Sequence, residues 1–209
     1  MTDAPQTTHL KSKRLFCAIC LRPQNNCICR WVTRIASEVE VLILQHPLEV
    51  HEAKGTARLL HLSLPNSRLV TGEVFDALLF DSPKRSILLY PVTPPDPSRG
   101  LAVPPVLDPN WLAKPAQLCL VVLDGTWRKS RKMLYLNPAL QQMPRLALQV
   151  LPASRYSIRK THKADQLSTL EATCAALAQL EGDQATFELL LTAFDGFVSQ
   201  QANHKKKTA

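Results

Sequence analysis

The amino-acid sequence predicts an α/β domain built on a parallel sheet, and three stretches carry that prediction. Residues 117–123 (Gln-Leu-Cys-Leu-Val-Val-Leu) form an apolar run without a charge, as a strand buried on both faces of a parallel sheet requires. Residues 39–45 (Val-Glu-Val-Leu-Ile-Leu-Gln) read as a second strand, stopped by His46-Pro47. Near the C-terminus Phe187, Leu190, Leu191, Phe194, Phe197 and Val198 repeat at helical spacing, as a core stripe or a dimer seam does. At 209 residues the chain accommodates one such domain with a small appendage.

Taken in order, residues 1–14 are polar and basic without periodicity and read as a disordered arm. Residues 15–34 hold Cys17, Cys20, Cys27 and Cys29 in a C-x2-C-x6-C-x-C spacing, and Pro23, Asn25 and Asn26 supply the turn that returns the second pair to the first. Four thiolates can close around one tetrahedral ion and leave no open position, which favours structural zinc. An iron–sulfur cluster and a redox pair are the alternatives. Arg14, Arg22, Arg30, Trp31 and Arg34 surround this knuckle and offer charge and a stacking surface to RNA. Cys119 and Cys174 lie in apolar patterns and read as core. The main domain then spans 35–201, and 202–209 form a basic tail.

Within the main domain a helix is expected over about 52–64, with Ala57, Leu60 and Leu64 on one side, then short strands over 67–71 and 86–92. Residues 92–116 are the most proline-dense stretch and read as an ordered surface connection with a turn near Trp111. The central strand ends in Asp124-Gly125-Thr126-Trp127. A basic amphipathic helix follows, with Met133, Leu134 and Leu136 set among Arg128, Lys129, Arg131 and Lys132. A strand over 146–151 and a basic loop over 152–163 come next. A helix capped by Ser168 or Thr169, with Leu170, Cys174, Leu177 and Leu180 on its apolar face, completes the order.

The carboxyl edge of a parallel sheet is where ligands bind, which draws attention to the loop at 124–127. Asp124 is its only acid, Gly125 allows a tight turn and Trp127 offers a flat surface. On the residues alone two accounts stand. One is a ligand site; the other is a strand-to-helix cap in which Asp124 or Thr126 accepts helix amides and Trp127 is core.

The net charge of +8 is unevenly spread. Residues 1–34 carry six Lys/Arg against one acid, and residues 128–163 carry nine with no acid. Residues 164–203 carry six acids and no Lys/Arg. Such blocks suit a polyanion, nucleic acid before membrane, since no lipidation motif or lipid-facing segment accompanies them. No apolar run approaches about 18 residues, and the polar N-terminus has no signal-peptide core. A soluble cytoplasmic protein is expected, whose six cysteines serve metal or burial and not disulfides. Nothing in the sequence fixes an oligomeric state.

Four segments resemble, in order, the DTW-domain family of tRNA-uridine aminocarboxypropyltransferases. They are the cysteine cluster; His46-Pro47-Leu48-Glu49 with Gly55-Thr56-Ala57-Arg58-Leu59; Asp124-Gly125-Thr126-Trp127 directly after a buried strand; and Tyr156-x-x-Arg159 followed by Ser168-Thr169-x-Glu171-Ala172. The resemblance implies a SPOUT-like fold, a parallel α/β sheet whose C-terminal part is threaded into a knot that holds S-adenosylmethionine. It also implies transfer of the 3-amino-3-carboxypropyl group from that cofactor to N3 of a tRNA uridine, with methylthioadenosine as by-product.

The resemblance makes Asp124, Thr126 and Trp127 the catalytic group. His46, Pro47, Thr56, Leu123, Gly125, Pro152, Ser154, Arg155, Ser168 and Thr169 would hold the cofactor, with Arg155 or Arg159 answering its carboxylate. Arg128, Lys129, Arg131, Lys132, Tyr156, Arg159 and Lys160 would face RNA phosphate. Asp124 either takes the uracil N3–H proton or accepts its hydrogen bond and orients the ring. Trp127 would stack on uracil or adenine. Two rival readings use much of the same equipment: a SPOUT-type RNA methyltransferase, and a non-enzymatic zinc-containing RNA-binding module.

Overall fold

The structure, a computed structural model, describes residues 15–92, 103–156 and 166–207. The arm expected over 1–14, part of the proline-rich connection, and Arg159 and Lys160 lie outside the described residues. The sheet has five strands: β1 (Glu40–Gln45), β2 (Ser67–Thr71), β3 (Arg85–Leu89), β4 (Leu118–Asp124) and β5 (Arg145–Leu146). Their order is β2-β1-β4-β3-β5 and every pair is parallel. β4 is central and buried at every position, which is why its sequence is a continuous apolar run and not an alternation.

The two faces of the sheet divide by residue parity. Val41, Ile43, Ile87, Leu118, Leu120 and Val122 pack with helices α1 (Ala57–Ser63), α5 (Thr169–Glu181) and α6 (Gln184–Lys207). Leu42, Leu44, Leu88, Cys119, Val121 and Leu123 pack with Met133, Leu134 and Leu140. Those last residues belong to α3 (Trp127–Leu136) and α4 (Pro138–Gln141). The phenylalanine stripe of α6 is core: Phe187, Leu190, Phe194 and Phe197 are fully buried. Between β3 and β4 the expected turn near Trp111 is α2 (Pro109–Leu112), started by Asp108, whose carboxylate accepts the Asn110 N–H at 2.9 Å.

Several boundaries differ from the sequence expectation, each for a local reason. The helix expected from about residue 52 starts at Ala57, because residues 49–55 close tight turns in which the Glu52 N–H donates to the Glu49 carbonyl and the Gly55 N–H to the Glu52 carbonyl. The strand expected over 146–151 is confined to Arg145–Leu146. Its partner among the described residues, β3, ends at Leu89, and Pro91 just beyond has no N–H to extend a ladder. Leu136, expected on the apolar face of α3, is exposed at the helix end, and Ser130 joins Met133 and Leu134 in the buried stripe. α5 begins in a full capping box between Ser168 and Glu171 and ends at Gly182, whose φ of 70° is the left-handed cap that glycine favours. α6 carries the start of the basic tail as helix, to Lys207.

The cysteine lobe is fastened to α6. Trp31 Nε1 donates to Gln200 Oε1 at 2.5 Å, Gln200 Nε2 donates to the Cys27 carbonyl at 3.0 Å, and Asn26 exchanges hydrogen bonds with Gln201. Arg22 donates to the Ala53 and Gly55 carbonyls at 2.6 and 2.7 Å and lies over the Phe197 ring. Arg22 and Trp31, considered above for RNA contact, are thus engaged in holding the lobe. The Trp31 ring crosses α6 at Gly196, where an added Cβ would sit 2.1 Å from the ring. Gly196→Ala should therefore expel Trp31 and cost about 1–3 kcal/mol, read as a lower urea midpoint with a red-shifted Trp emission.

Candidate active site

Asp124, the last residue of β4, is 5% exposed and spans three elements. Its backbone carbonyl accepts the His46 N–H at 3.0 Å. Carboxylate Oδ2 accepts from Gln45 Nε2 at 2.9 Å, and Oδ1 accepts from Thr169 Oγ1 at 2.7 Å. β1, β4 and the first turn of α5 thus converge on one buried carboxylate. The helix cap is a different residue: Thr126 Oγ1 accepts the Lys129 N–H at 3.4 Å. Gly125 allows the close approach between them, since a Cβ there would lie 3.1 Å from Lys129 Cβ and 3.7 Å from His46 Cβ.

Beside this junction a cavity of about 680 Å³ opens at the carboxyl ends of β3, β4 and β5. Val122, Leu123, Leu146, Leu148 and Leu167 give it apolar walls. Gly125, Thr126, Ser168 and Thr169 bring polar and backbone groups, and Arg128 is the one cation among its described lining residues. Asp124 reaches this space through Thr169, which lines it. Trp127, which the capping account would have made core, is 50% exposed and stands edge-on to Tyr90, centroids 5.7 Å apart at 74°. Size, apolar walls and a few convergent polar groups make this cavity the candidate binding site among the described residues.

The other expected residues are placed as follows. His46 is buried; its Nδ1 accepts the Leu48 N–H at 3.1 Å, so the ring proton resides on Nε2, 2.6 Å from Glu73 Oε1. Pro47 is exposed in the turn beside it. Thr56 is buried and accepts the Leu170 N–H at 3.3 Å, joining α1 to α5. Pro152 is exposed, and Ser154 hydrogen-bonds the Glu171 carboxylate at 3.2 Å. Neither these five residues nor Arg155 is among those lining the cavity.

Arg155 is committed to α6, with its guanidinium 2.5 Å from Glu188 and 3.1 Å from Asp195. Those two acids hold its proton more tightly than usual. Tyr156, expected to face RNA, is core: it is 2% exposed, lies against Phe194 at 5.5 Å and donates its hydroxyl to the Lys54 carbonyl. Its apolar ring gains more in that position than on a phosphate-facing surface. On α3, Lys129 pairs with Glu49 at 2.8 Å and Lys132 with Glu73 at 2.6 Å. Arg128 and Arg131 are exposed and form no ion pair among the described residues.

Sequence reading did not reach Gln45, Glu73, Glu171 as an anchor, or Tyr90. Gln45 had a signal, a polar residue closing an apolar strand. Glu171 accepts the Ser168 N–H at 2.7 Å and the Arg155 N–H at 2.6 Å, and half of that was visible in the Ser-x-x-Glu spacing. Tyr90 had none.

The second centre is the cysteine lobe. The sulfurs of Cys17, Cys20, Cys27 and Cys29 all lie within 4.8 Å of one another and could hold a metal ion. Cys17–Cys29 and Cys20–Cys27 separations are 3.6 and 3.7 Å. A tetrahedron of sulfurs at the usual zinc–sulfur distance has edges of about 3.8 Å. Backbone N–H groups of Cys20 and Ile19 pull the Cys17 thiol down to about 6, while burial and neighbouring sulfurs push Cys29 up.

A parallel α/β domain with an apolar-walled cavity at its carboxyl edge and a four-cysteine lobe is the class of protein that these observations define. The chain belongs to the DTW domain family, which matches residues 14–202. It is similar to tRNA-uridine aminocarboxypropyltransferase 2 of Macaca fascicularis, 26% identical over 202 residues covering 92% of this chain and 65% of the relative. It is 31% identical to the Drosophila melanogaster protein of the same name over 182 residues, 81% of this chain and 68% of the relative. It is 28% identical over 146 residues to tRNA-uridine aminocarboxypropyltransferase A of Arabidopsis thaliana, 64% of this chain and 54% of that one. The chain thus spans about two thirds or less of the curated relatives it matches. No solved structure matches it.

If the four sulfurs hold an ion, elemental analysis should find one metal per chain. Cys27→Ser should then lower the unfolding midpoint by several degrees and loosen α6, which grips the lobe through Gln200. The second effect is read as faster amide exchange at 196–201.

Proposed function

We propose that this chain is an enzyme that transfers the 3-amino-3-carboxypropyl group of S-adenosylmethionine to N3 of a uridine in tRNA. In this reading it works in the cytoplasm, its cysteine lobe holds structural zinc, and its C-terminal part is threaded as a SPOUT-like knot. The all-parallel sheet supports that last reading, with Ser168 and Thr169 brought back to the carboxyl edge of β4. Residues 157–165, which would close the knot, lie outside the described residues. The single observation that carries the function is the Asp124–Thr169 hydrogen bond in the wall of an apolar cavity. The names of the relatives supply the group transferred and the tRNA uridine that receives it.

The residues present fit the cofactor. Leu146, Leu148 and Leu167 suit an adenine, Ser168 and Gly125 offer polar and backbone groups, and Arg128 is the cation for its carboxylate. When bound, S-adenosylmethionine supplies an electrophilic carbon beside a sulfonium. The work of the protein is to orient the uracil and accept its N3 proton. Thr169 gives its own hydroxyl hydrogen to Asp124, so toward the cavity its oxygen can only accept. As the N3–H is lost its proton passes to Thr169 Oγ1, and the Thr169 proton passes to Asp124. Gln45 fixes the other carboxylate oxygen, so the acceptor does not have to be reoriented during reaction. Trp127 and Tyr90 present ring surface at the cavity wall for the base.

Nucleoside mass spectrometry of unmodified tRNA, incubated with the protein and S-adenosylmethionine, tests the reading. A gain of one aminocarboxypropyl group supports it, a gain of one methyl would assign the methyltransferase, and no gain would leave an RNA-binding module. Asp124→Asn and Thr169→Val should each turn over at least ~100-fold more slowly while still binding cofactor, and Thr169→Ser should recover most of the rate. Arg128→Ala should weaken S-adenosylmethionine binding by about tenfold or more, the scale of a hydrogen bond to a charged group, with a smaller change in tRNA affinity. The reverse pattern would move Arg128 to the RNA track.

A further inference from the structure

Arg145 opens β5 and is 7% exposed, yet its Nε and Nη1 are buried without a hydrogen-bond partner among the described residues. A guanidinium carries five N–H donors, and withdrawing them from water without acceptors is costly. The face of Tyr90, 5.6 Å from Arg145 Cζ, offsets part of that cost. No carboxylate does so: Arg145 forms no ion pair among the described residues. Burial pulls the guanidinium below its usual range, as an unpaired buried cation requires. A buried donor without an acceptor calls for an explanation, and a ligand that supplies one is such an explanation.

The surroundings say which ligand. Arg145 pairs in register with Leu88, so its side chain projects to the face covered by α3 and α4. α3 carries the exposed Arg131, and burial pushes the Tyr90 hydroxyl up while Ser130 and the charges of Arg131 and Arg145 draw it down. Tyr90 also lines the cavity and meets Trp127, whereas Arg145 is not part of the cavity wall. The charge therefore lies next to the transfer site and not within it.

The geometry points to a phosphate subsite formed by Arg145, Arg131 and the Tyr90 hydroxyl, which takes one phosphodiester of the RNA strand adjoining the uridine that enters the cavity. A phosphate would supply the counter-charge that Arg145 lacks among the described residues. The inference rests on the proposed reading for the identity of the strand, not for the presence of the subsite. A cofactor carboxylate shares the chemistry, but would have to leave the cavity to reach Arg145.

The test uses the full chain and two variants, Arg145→Met, which keeps bulk and removes the charge, and Arg131→Gln, which alters an exposed side chain. In chloride, Arg145→Met should unfold at the wild-type midpoint or above, because an unsatisfied charge has gone. Inorganic phosphate at matched ionic strength should raise the midpoint of wild type and not of Arg145→Met. In tRNA binding, each variant should flatten the plot of log affinity against log salt by about 0.7–0.9, one phosphate contact. S-adenosylmethionine affinity should stay within about twofold. A lower midpoint for Arg145→Met, with phosphate response and salt slopes unchanged in both variants, overturns the subsite and leaves a packing arginine. Loss of cofactor affinity with an unaltered RNA slope overturns the phosphate assignment in favour of the cofactor carboxylate. The expected slopes in a chain that transfers nothing would sustain the subsite and remove only the proposed activity.

Discussion

The buried carboxylate of Asp124 is the constraint on which the rest of the site depends. A carboxylate taken out of water must be met by donors, and here they come from Gln45 at the end of β1 and Thr169 at the start of α5. The main chain adds a third tie, from His46. Satisfying one acid therefore brings together segments separated by 79 and 45 residues in sequence. Glu171 repeats the device one turn along. It gathers the N–H groups of Ser168 and Arg155 and the Ser154 hydroxyl, and so decides where the chain returning from β5 lies. Both acids sit at the amino end of α5, where the helix dipole favours negative charge.

Helix α3 divides its four cations by helical phase. Lys129 and Lys132, three residues apart, reach Glu49 and Glu73 on the turns that follow β1 and β2. Partly exposed pairs of this kind add little stability. Their effect is positional: they fix the roll of α3 and with it the direction of Trp127. Arg128 and Arg131 share the complementary phase and remain exposed. An acid-free basic helix in sequence is thus half fastener and half open charge in the fold.

What could be read from sequence alone followed the range of the interaction concerned. The burial of β4 is a property of seven consecutive residues, and the α5 cap of four, so both were legible. The four-cysteine cluster, which could hold an ion, was legible because a spacing within thirteen residues restricts its geometry. β5 was read too long because strand length depends on a partner, and β3 stops at Leu89. Tyr156 was read as facing RNA and Arg155 as answering the cofactor carboxylate, because both lie in a basic loop; Phe194 buries the first and Glu188 and Asp195 hold the second, all three from a helix much later in the chain. Tyr90 and Arg145 meet only through the β3–β5 pairing, and no local pattern announces it.

The fastening of the cysteine lobe to α6 has a consequence for synthesis on the ribosome. The bonds from Asn26, Cys27 and Trp31 to Gln200 and Gln201 span 169 to 175 residues. Chains emerge at about 5–20 residues per second, so the lobe waits roughly 8–35 seconds for the surface it docks on. The four sulfurs need no such wait, since they lie within one short segment. If the four sulfurs hold an ion, its capture can precede the closure of the domain and keep the cysteines occupied while the remainder of the polypeptide is made.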